Sequence, residues 1–459
     1  MGIVDGMPRR FLRGLALLAT LLGVAVASIA FGLLVTPEQS VSALGQTVAV
    51  GTAPPTLSTS GPGEVVLFGQ SLPTQVDFVG PVRPRIVLTE ISVGEQVENL
   101  FRPGRATPTP ADLGDELAGG WRRYFVWQIG FVAVAAVVLL GAIAGWRRDD
   151  GRRTAITVVV GLVVVQVLNL GVIMVTAATA PGILGRVGSL SELVGRTEAT
   201  PVPAVGPTLL RVQAVVMGDS IAAGLGGPPL AEPTRVDDVC ERSSFAFPVT
   251  LARVNEWEVR NLACSGASIA NGILGPQHAG GETIPPQLGV AKRAVDAEVV
   301  VVNVGANDMN WSVLVRLCAV SDVCDDRAQT AYFQRSLDGF TQDYFDLLRQ
   351  LGTLPGEPLV LINQYYAPFD PDQDCLEQEG LVGEKVEVLL ERLGTLNRVI
   401  ANGAETFGFL SVEPDFRGHE LCTDQSYVQG LTDPAPLHPN ARGHLVIALA
   451  DERALLSAP

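Results

Sequence analysis

The chain has 459 residues, more than one ordinary domain needs, with a formal net charge of −16 and a hydrophobic fraction of 47%. Nearly all of the acidic excess lies after residue 208, which disfavours nucleic acid and anionic headgroups as electrostatic partners. The apolar residues gather in the first 180 positions, a distribution that points to membrane spans and not to one oversized core.

In chain order, three apolar runs come first: Gly14–Val35, Tyr124–Trp146 and Ala155–Val175. Each is near the ~20 residues a helix needs to cross the hydrocarbon core. Trp121, Tyr124, Trp127 and Trp146 lie at or near the ends of the second run, as an aromatic belt at a membrane interface would. Arg9, Arg10 and Arg13 before the first run, and Arg147, Arg148, Arg152 and Arg153 between the second and third, mark cytoplasmic ends. Three spans then put residues 36–120, and everything after about 180, outside the cytoplasm. Arg122 and Arg123 pull the other way and are outvoted by the tighter four-arginine loop. The small residues Ala25–Ser28 resemble a signal-peptide cleavage site, the alternative for the first run. Its length, continuing past that site, favours an uncleaved helix.

The resulting division is 1–35 (cytoplasmic tip and first span), 36–120 (a β-rich extracytoplasmic segment), 121–178 (spans two and three), 179–208 (linker) and 209–459. Within the β-rich segment Glu64–Gly69, Gln75–Gly80 and Arg83–Ile91 read as short strands between turn signals, and Phe101–Pro110 as a loop. From Leu209 the pattern changes to strands alternating with helices. Arg211–Met217 and Ala297–Gly305 are continuous apolar runs, as strands buried on both faces should be. Pro358–Tyr366 is another strand, and Glu258–Cys264 and Phe407–Glu413 are weaker ones. Helical periodicity marks Thr330–Leu351, Gly383–Gly403 and a last amphipathic helix over Asn440–Leu456. This alternation implies a parallel sheet covered by helices.

All six cysteines fall in the last half, with no CxxC pair and no zinc-like spacing. An even number confined to one segment suggests disulfides and an oxidising compartment, with buried free thiols as the alternative.

In a parallel sheet, functional residues gather at the carboxyl ends of the strands. Ser220 follows the first strand in "VVMGDSIAAG", Gly266 follows the second in "NLACSGAS", and Asn307 follows the third in "VGANDMN". His438, in "PLHPNARGH", precedes the last helix. The set "GDS", "NLACSGAS", "GAND" and "LHPN" resembles the four blocks of the SGNH (GDSL-type) hydrolases over about residues 209–459. The resemblance implies a flavodoxin-like three-layer α/β/α sandwich with a parallel sheet, here preceded by a three-helix transmembrane region and the small β-rich extracytoplasmic segment. "NLACSGA" and the cysteine layout further resemble the secreted actinobacterial esterase and lipase branch. If that carries over, Cys240 pairs with Cys264, Cys318 with Cys324, and Cys375 with Cys422.

A serine hydroxyl is a poor nucleophile unless a base takes its proton, and imidazole titrates near working pH. His438 is the expected base for Ser220 and the later acid for the leaving alcohol. The backbone N–H groups of Ser220 and Gly266 and the amide of Asn307 are the expected oxyanion donors. The family's aspartate three residues before the histidine is replaced by Ala435, whose carbonyl is expected to orient the ring, with Asp433 as second choice. A carbonyl stabilises imidazolium less than a carboxylate would.

Asp219 and Asp308 read as structural, and His278 and His419 as surface or loop residues. His444, in the last helix, is a weaker rival to His438. Ser220 read in isolation could be only a helix cap. The acidic run Asp370–Glu379 reads as solvated surface, without an EF-hand pattern for calcium. The expected activity is hydrolysis of carboxylic esters of lipids or envelope glycans through an acyl-serine, with no metal or cofactor and with the chain embedded in a cell membrane. The rivals are an O-acyltransferase using the same residues and a non-catalytic envelope-binding scaffold.

Overall fold

The computed structural model describes residues 9–43, 46–56, 58–91, 110–147, 150–184, 200–372 and 374–458. The expected loop Phe101–Pro110 lies outside them except for Pro110, which starts a helix. The chain divides into two compact units, the second of which takes in Ala199–Pro459.

The first unit opens with α1 (Arg9–Val35), continues through five strands, and closes with α2 (Pro110–Trp146) and α3 (Gly151–Leu184). Leu15–Val35, Leu117–Trp146 and Gly151–Thr176 are long and apolar enough to cross a membrane. The three helices share a core of Val24, Ala25, Val132, Ala136, Leu140 and Val165. The buried amides of Gln128 and Asn169 exchange two hydrogen bonds between α2 and α3, at 2.9 and 3.1 Å.

The five strands are β1 (Gln39–Ala43), β2 (Gln46–Thr52), β3 (Ser60–Leu67), β4 (Gln70–Val79) and β5 (Pro84–Ile91), in the sheet order β1-β2-β5-β3-β4. The three expected strands are β3, β4 and β5. β1 and β2 were not expected, because "QSVSA" and "QTVAVGT" carry Ser, Gln, Ala and Gly, which are weak strand formers. Their antiparallel pairing, with Val41 opposite Val48, is decided by contact with α2. That contact also corrects the expected aromatic belt. Trp121 is buried and donates its indole N–H to Gly51 O at 2.8 Å, and the buried Tyr124 hydroxyl lies 2.8 Å from Thr52 Oγ1. Only Trp127 and Trp146 face outward. Trp121 and Tyr124, near the start of the apolar span, turn to the sheet, which contacts this end of α2 through β1 and β2.

The expected linker 179–208 is shortened from both ends. Helix α3 runs to Leu184, and residues from 200 onward are tied into the second unit. The N–H groups of Val202, Val205 and Leu209 donate to Gln350 Oε1, Gly289 O and Arg293 O, each at 2.8 Å.

The second unit runs β6 (Ala214–Gly218), α4 (Ser220–Ala223), α5 (Arg235–Val239), α6 (Phe247–Asn255), β7 (Val259–Asn261), β8 (Gln277–Ala279), β9 (Glu282–Ile284), α7 (Gln287–Ala291) and β10 (Val299–Asn303). It continues with α8 (Trp311–Val320), α9 (Arg327–Leu351), β11 (Leu359–Asn363), α10 (Gly383–Thr406), β12 (Leu410–Val412) and α11 (Ala441–Ser457). All five expected strands are present, in one sheet of order β12-β11-β10-β6-β7. Every pairing in it is parallel. Each residue of β6 and β10 is buried, which is why both read as unbroken apolar runs. The chain goes from β6 outward to β7 and then crosses back to β10 on the other side. The strand order therefore reverses between β6 and β10, where a parallel sheet opens a crevice at its carboxyl edge. Gly218 and Asn303, the last residues of the two strands, are in register at that edge. The cysteines pair as 240–264, 318–324 and 375–422, as the resemblance implies.

Helix α11, which follows the expected base His438, is seated on the sheet through the fully buried Asp451, whose Oδ2 lies 3.4 Å from Asn363 Nδ2. Burial raises the Asp451 pKa well above the ordinary value. The protonated form that the fold prefers is complete below the unfolded carboxyl pKa, about 4, and is lost as pH rises through the elevated folded value. Asp451→Asn, which cannot ionise, is expected to lose less Tm than the wild type between pH 6 and pH 9. Thermal unfolding at both pH values checks this, and equal losses would remove Asp451 as the cause.

Candidate active site

The last residue of β6 is Gly218, where a side chain would collide with the neighbouring strand. A Cβ would sit 2.6 Å from Asn303 O. Buried Gln287 clamps the same peptide, accepting from Gly218 N–H at 2.8 Å and donating to Gly218 O at 2.9 Å. Asp219 then takes the N-cap position of α4, its carboxylate accepting from Ile221 N–H at 2.9 Å. The cap is therefore Asp219, and Ser220 is left with an uncommitted hydroxyl at the first helical position. Its Oγ lies 2.9 Å from His438 Nε2.

His438 reaches this place on a loop held from several sides. Leu437 adopts φ +69°, an unfavourable conformation for a branched residue, and its carbonyl accepts from Tyr366 OH at 2.8 Å. Gln429 donates to Leu225 O at 2.8 Å and to Pro439 O at 3.1 Å, tying the histidine loop to the end of the serine helix. Asn440 caps α11 by accepting from the N–H groups of Arg442 and Gly443. The ring Nδ1 lies 3.2 Å from Pro436 O. The orienting carbonyl expected on Ala435 is thus nearest from one residue later, while Ala435 O accepts the backbone N–H of His438 at 3.2 Å. The second choice, Asp433, has its carboxylate engaged by Gly430 N–H at 2.7 Å. Burial pulls the His438 pKa below the ordinary 6.5, against the pull of the Pro436 and Ala435 carbonyls.

The expected oxyanion donors come together on two loops. Gly266 has φ +78°, a region where only glycine is unstrained. Its neighbours Ser265 and Ala267 donate their N–H groups to Cys240 O and Cys264 O at 3.2 and 3.0 Å. The Gly266 N–H between them has no partner among the described residues. Asn307 donates from Nδ2 to Ala267 O at 2.8 Å, which joins its loop to that of Gly266 and leaves the second amide hydrogen for another acceptor.

Two carboxyls brace these loops, as expected. Asp308 accepts from Ile269 N–H at 2.8 Å, and burial, with the charge of Asp343, raises its pKa to about 7. Asp219 is buried, and its pKa is raised to about 6 by that burial. Of the other histidines, His278 touches Thr283 and His419 stacks on Tyr427. His444 is fully buried against Phe245 and Phe247, with its pKa lowered to about 3 by burial, so it cannot serve as the base.

Sequence reasoning missed four positioning residues: Gln287, Tyr365, Tyr366 and Gln429. Tyr365 joins two of the motif loops, donating from its hydroxyl to Asp219 Oδ2 at 2.9 Å and accepting from Ala306 N–H at 2.8 Å. Its place at the carboxyl end of a predicted strand was the available signal. The glutamines carry no comparable mark.

Comparison with known proteins shows the family. The GDSL-like Lipase/Acylhydrolase family matches residues 216–446, half of the chain. The chain belongs to this family. As a GDSL-type (SGNH) hydrolase it is an enzyme acting on carboxylic esters. It is similar to a lipase of Streptomyces rimosus, 25% identical over 276 residues, covering 58% of this chain and 93% of that one. Among solved structures it is similar to an extracellular lipase from Streptomyces rimosus, with 20% identity, a TM-score of 0.45, and coverage of 54% of this chain and 100% of that one. A phospholipase A1 from Streptomyces albidoflavus matches at 20% identity and a TM-score of 0.39, with the same coverage.

Tyr365→Phe removes one hydroxyl and strips a partner from both the buried Asp219 carboxylate and the Ala306 N–H. It is expected to destabilise the GDSL-type hydrolase unit by about 1–3 kcal/mol. A lowered unfolding temperature in calorimetry of the full chain checks this. An unchanged one would mean that water replaces the phenol.

Proposed function

We propose that this chain is a membrane-anchored, extracytoplasmic serine esterase or lipase, with Ser220 as nucleophile and His438 as general base. The observation that carries this is the 2.9 Å approach of Ser220 Oγ to His438 Nε2 at the edge where the strand order reverses. As Oγ attacks the ester carbonyl carbon, its proton passes to Nε2 and the carbonyl oxygen becomes an oxyanion. The N–H groups of Ser220 and Gly266 and the Asn307 amide are the donors for that charge. Collapse of the tetrahedral species breaks the ester C–O bond, and His438 returns the proton to the leaving alcohol. Water then repeats the sequence on the acyl-serine and releases the acid. The Pro436 carbonyl holds the Nδ1 proton, so that Nε2 faces the serine as an acceptor.

The anchoring rests on the three apolar helices, and the sidedness on the arginines that flank them. The three disulfides in the hydrolase unit favour the same oxidising side. A membrane-held enzyme there meets esters of lipids or acyl groups on envelope glycans.

A fluorophosphonate probe should label the detergent-solubilised full chain, and Ser220→Ala and His438→Ala should both lose labelling and turnover. Retained turnover in either would overturn the assignment. Asn307→Ala is expected to lower kcat about 10²–10³-fold. Because burial lowers the His438 pKa, the neutral base persists on acidification. The acid limb of kcat/KM should therefore lie below pH 6.5, and a midpoint above that value would contradict the buried ring.

A further inference from the structure

The β8–β9 hairpin carries no residue of the four sequence blocks, yet it reaches the loop of Gly266. Gln277 on β8 and Ile284 on β9 face each other across the hairpin. Ile284 is buried in one cluster with Cys240 and Cys264, whose disulfide directly precedes Ser265 and Gly266 in the chain. Seated in this way, the hairpin delivers the buried Gln277, whose Nε2 donates to Ser265 O at 2.8 Å. A carbonyl can only accept, so the nitrogen of the Gln277 amide is the atom that faces it.

That carbonyl belongs to the same peptide unit as the Gly266 N–H. The unit is planar and trans, so its oxygen and its hydrogen point in opposite directions. Holding the oxygen therefore aims the hydrogen. The hold is needed here, because Gly266 at φ +78° has no Cβ to restrict the rotation of this peptide. A hydrogen bond at the carbonyl also polarises the unit and strengthens the donor at its other end. Gly272 makes room for the contact. A Cβ there would lie 3.0 Å from Gln277 Oε1 and 2.7 Å from Ala267 Cβ, pressing on the amide and on the Gly266 loop together. Gln277 Oε1 is buried with no hydrogen-bond partner among the described residues. One bond made and one acceptor stranded add little to stability, which leaves the direction of the peptide as the effect of the contact.

We propose that Gln277 is a positioning residue for the oxyanion site, fixing the Ser265–Gly266 peptide so that the Gly266 N–H meets the charge formed at the ester oxygen. The inference rests on the esterase reading above and deepens it.

The test uses the solubilised full chain, p-nitrophenyl acetate as substrate, and an alkyl trifluoromethyl ketone, whose adduct with a serine carries an oxyanion. Gln277→Met keeps the length of the side chain and loses the donor. It is expected to lower kcat at least tenfold with KM within twofold, and to raise Ki for the ketone at least tenfold. A lowered Tm with kcat and Ki within twofold of the wild type would make Gln277 structural only and overturn the proposal. A fall in kcat without a rise in Ki would overturn it as well. Gln277→Glu decides if Gln277→Met does not fold. A carboxylate cannot donate to Ser265 O, whereas the protonated acid can. The kcat of Gln277→Glu relative to wild type should therefore fall at least fivefold from pH 5 to pH 9, and a constant ratio would overturn the proposal. Wild-type turnover beside an unaffected variant upholds the esterase and removes only the role of Gln277. Absence of both turnover and fluorophosphonate labelling in the wild type would overturn the esterase reading and this inference with it.

Discussion

Ser220 and His438 are 218 residues apart in the chain, and the hydrogen bond between them is the constraint around which the hydrolase unit is arranged. It requires two separate placements. The serine is delivered by β6, whose last peptide is clamped by Gln287 and whose helix is capped by Asp219. The histidine arrives on an irregular loop, strained at Leu437 and held by Tyr366 and Gln429 just before α11 begins. The crevice between β6 and β10 gives both a common edge, and the Gly266 and Asn307 loops are joined by a hydrogen bond from the Asn307 amide to Ala267 O.

At this edge the Asp219 and Asp308 carboxyls bind backbone amides, and the His438 ring is hydrogen-bonded to a carbonyl and not to a carboxyl. Asp219 and Asp308 are both shifted upward by burial and act as hydrogen-bond anchors for backbone amides. The ring is served by a carbonyl that fixes its tautomer but adds no full charge. Burial further disfavours imidazolium.

The helical unit follows a different logic. Its exposed positions are mostly apolar, and its inner contacts combine Val, Ala and Leu side chains with one reciprocal Gln128–Asn169 pair. In a lipid environment such a pair specifies which helix faces meet, since leucine-like surfaces do not distinguish one partner from another. The sheet carried by this unit takes two aromatic residues from α2 for its own core.

Much of this was legible in the chain. Helices that must satisfy every backbone group across lipid need long apolar runs, and strands buried on both faces need continuous ones, so composition alone marks them. The residues of the site were legible because the chemistry restricts their types: a serine after a strand, a glycine that can adopt positive φ, an amide, an imidazole. The strands β1 and β2, the inward turn of Trp121 and Tyr124, and the bracing by Tyr365, Gln287 and Gln429 were not. Each depends on a partner distant in sequence, and local pattern does not encode distant partners. The approach of Pro436 O to the imidazole Nδ1 belongs with them, because the direction of a carbonyl in an irregular loop is set by contacts across the fold. By itself the sequence determined which elements form and which groups are available for chemistry. Only the tertiary structure decided how those groups are oriented, because orientation is a property of contacts made across the fold.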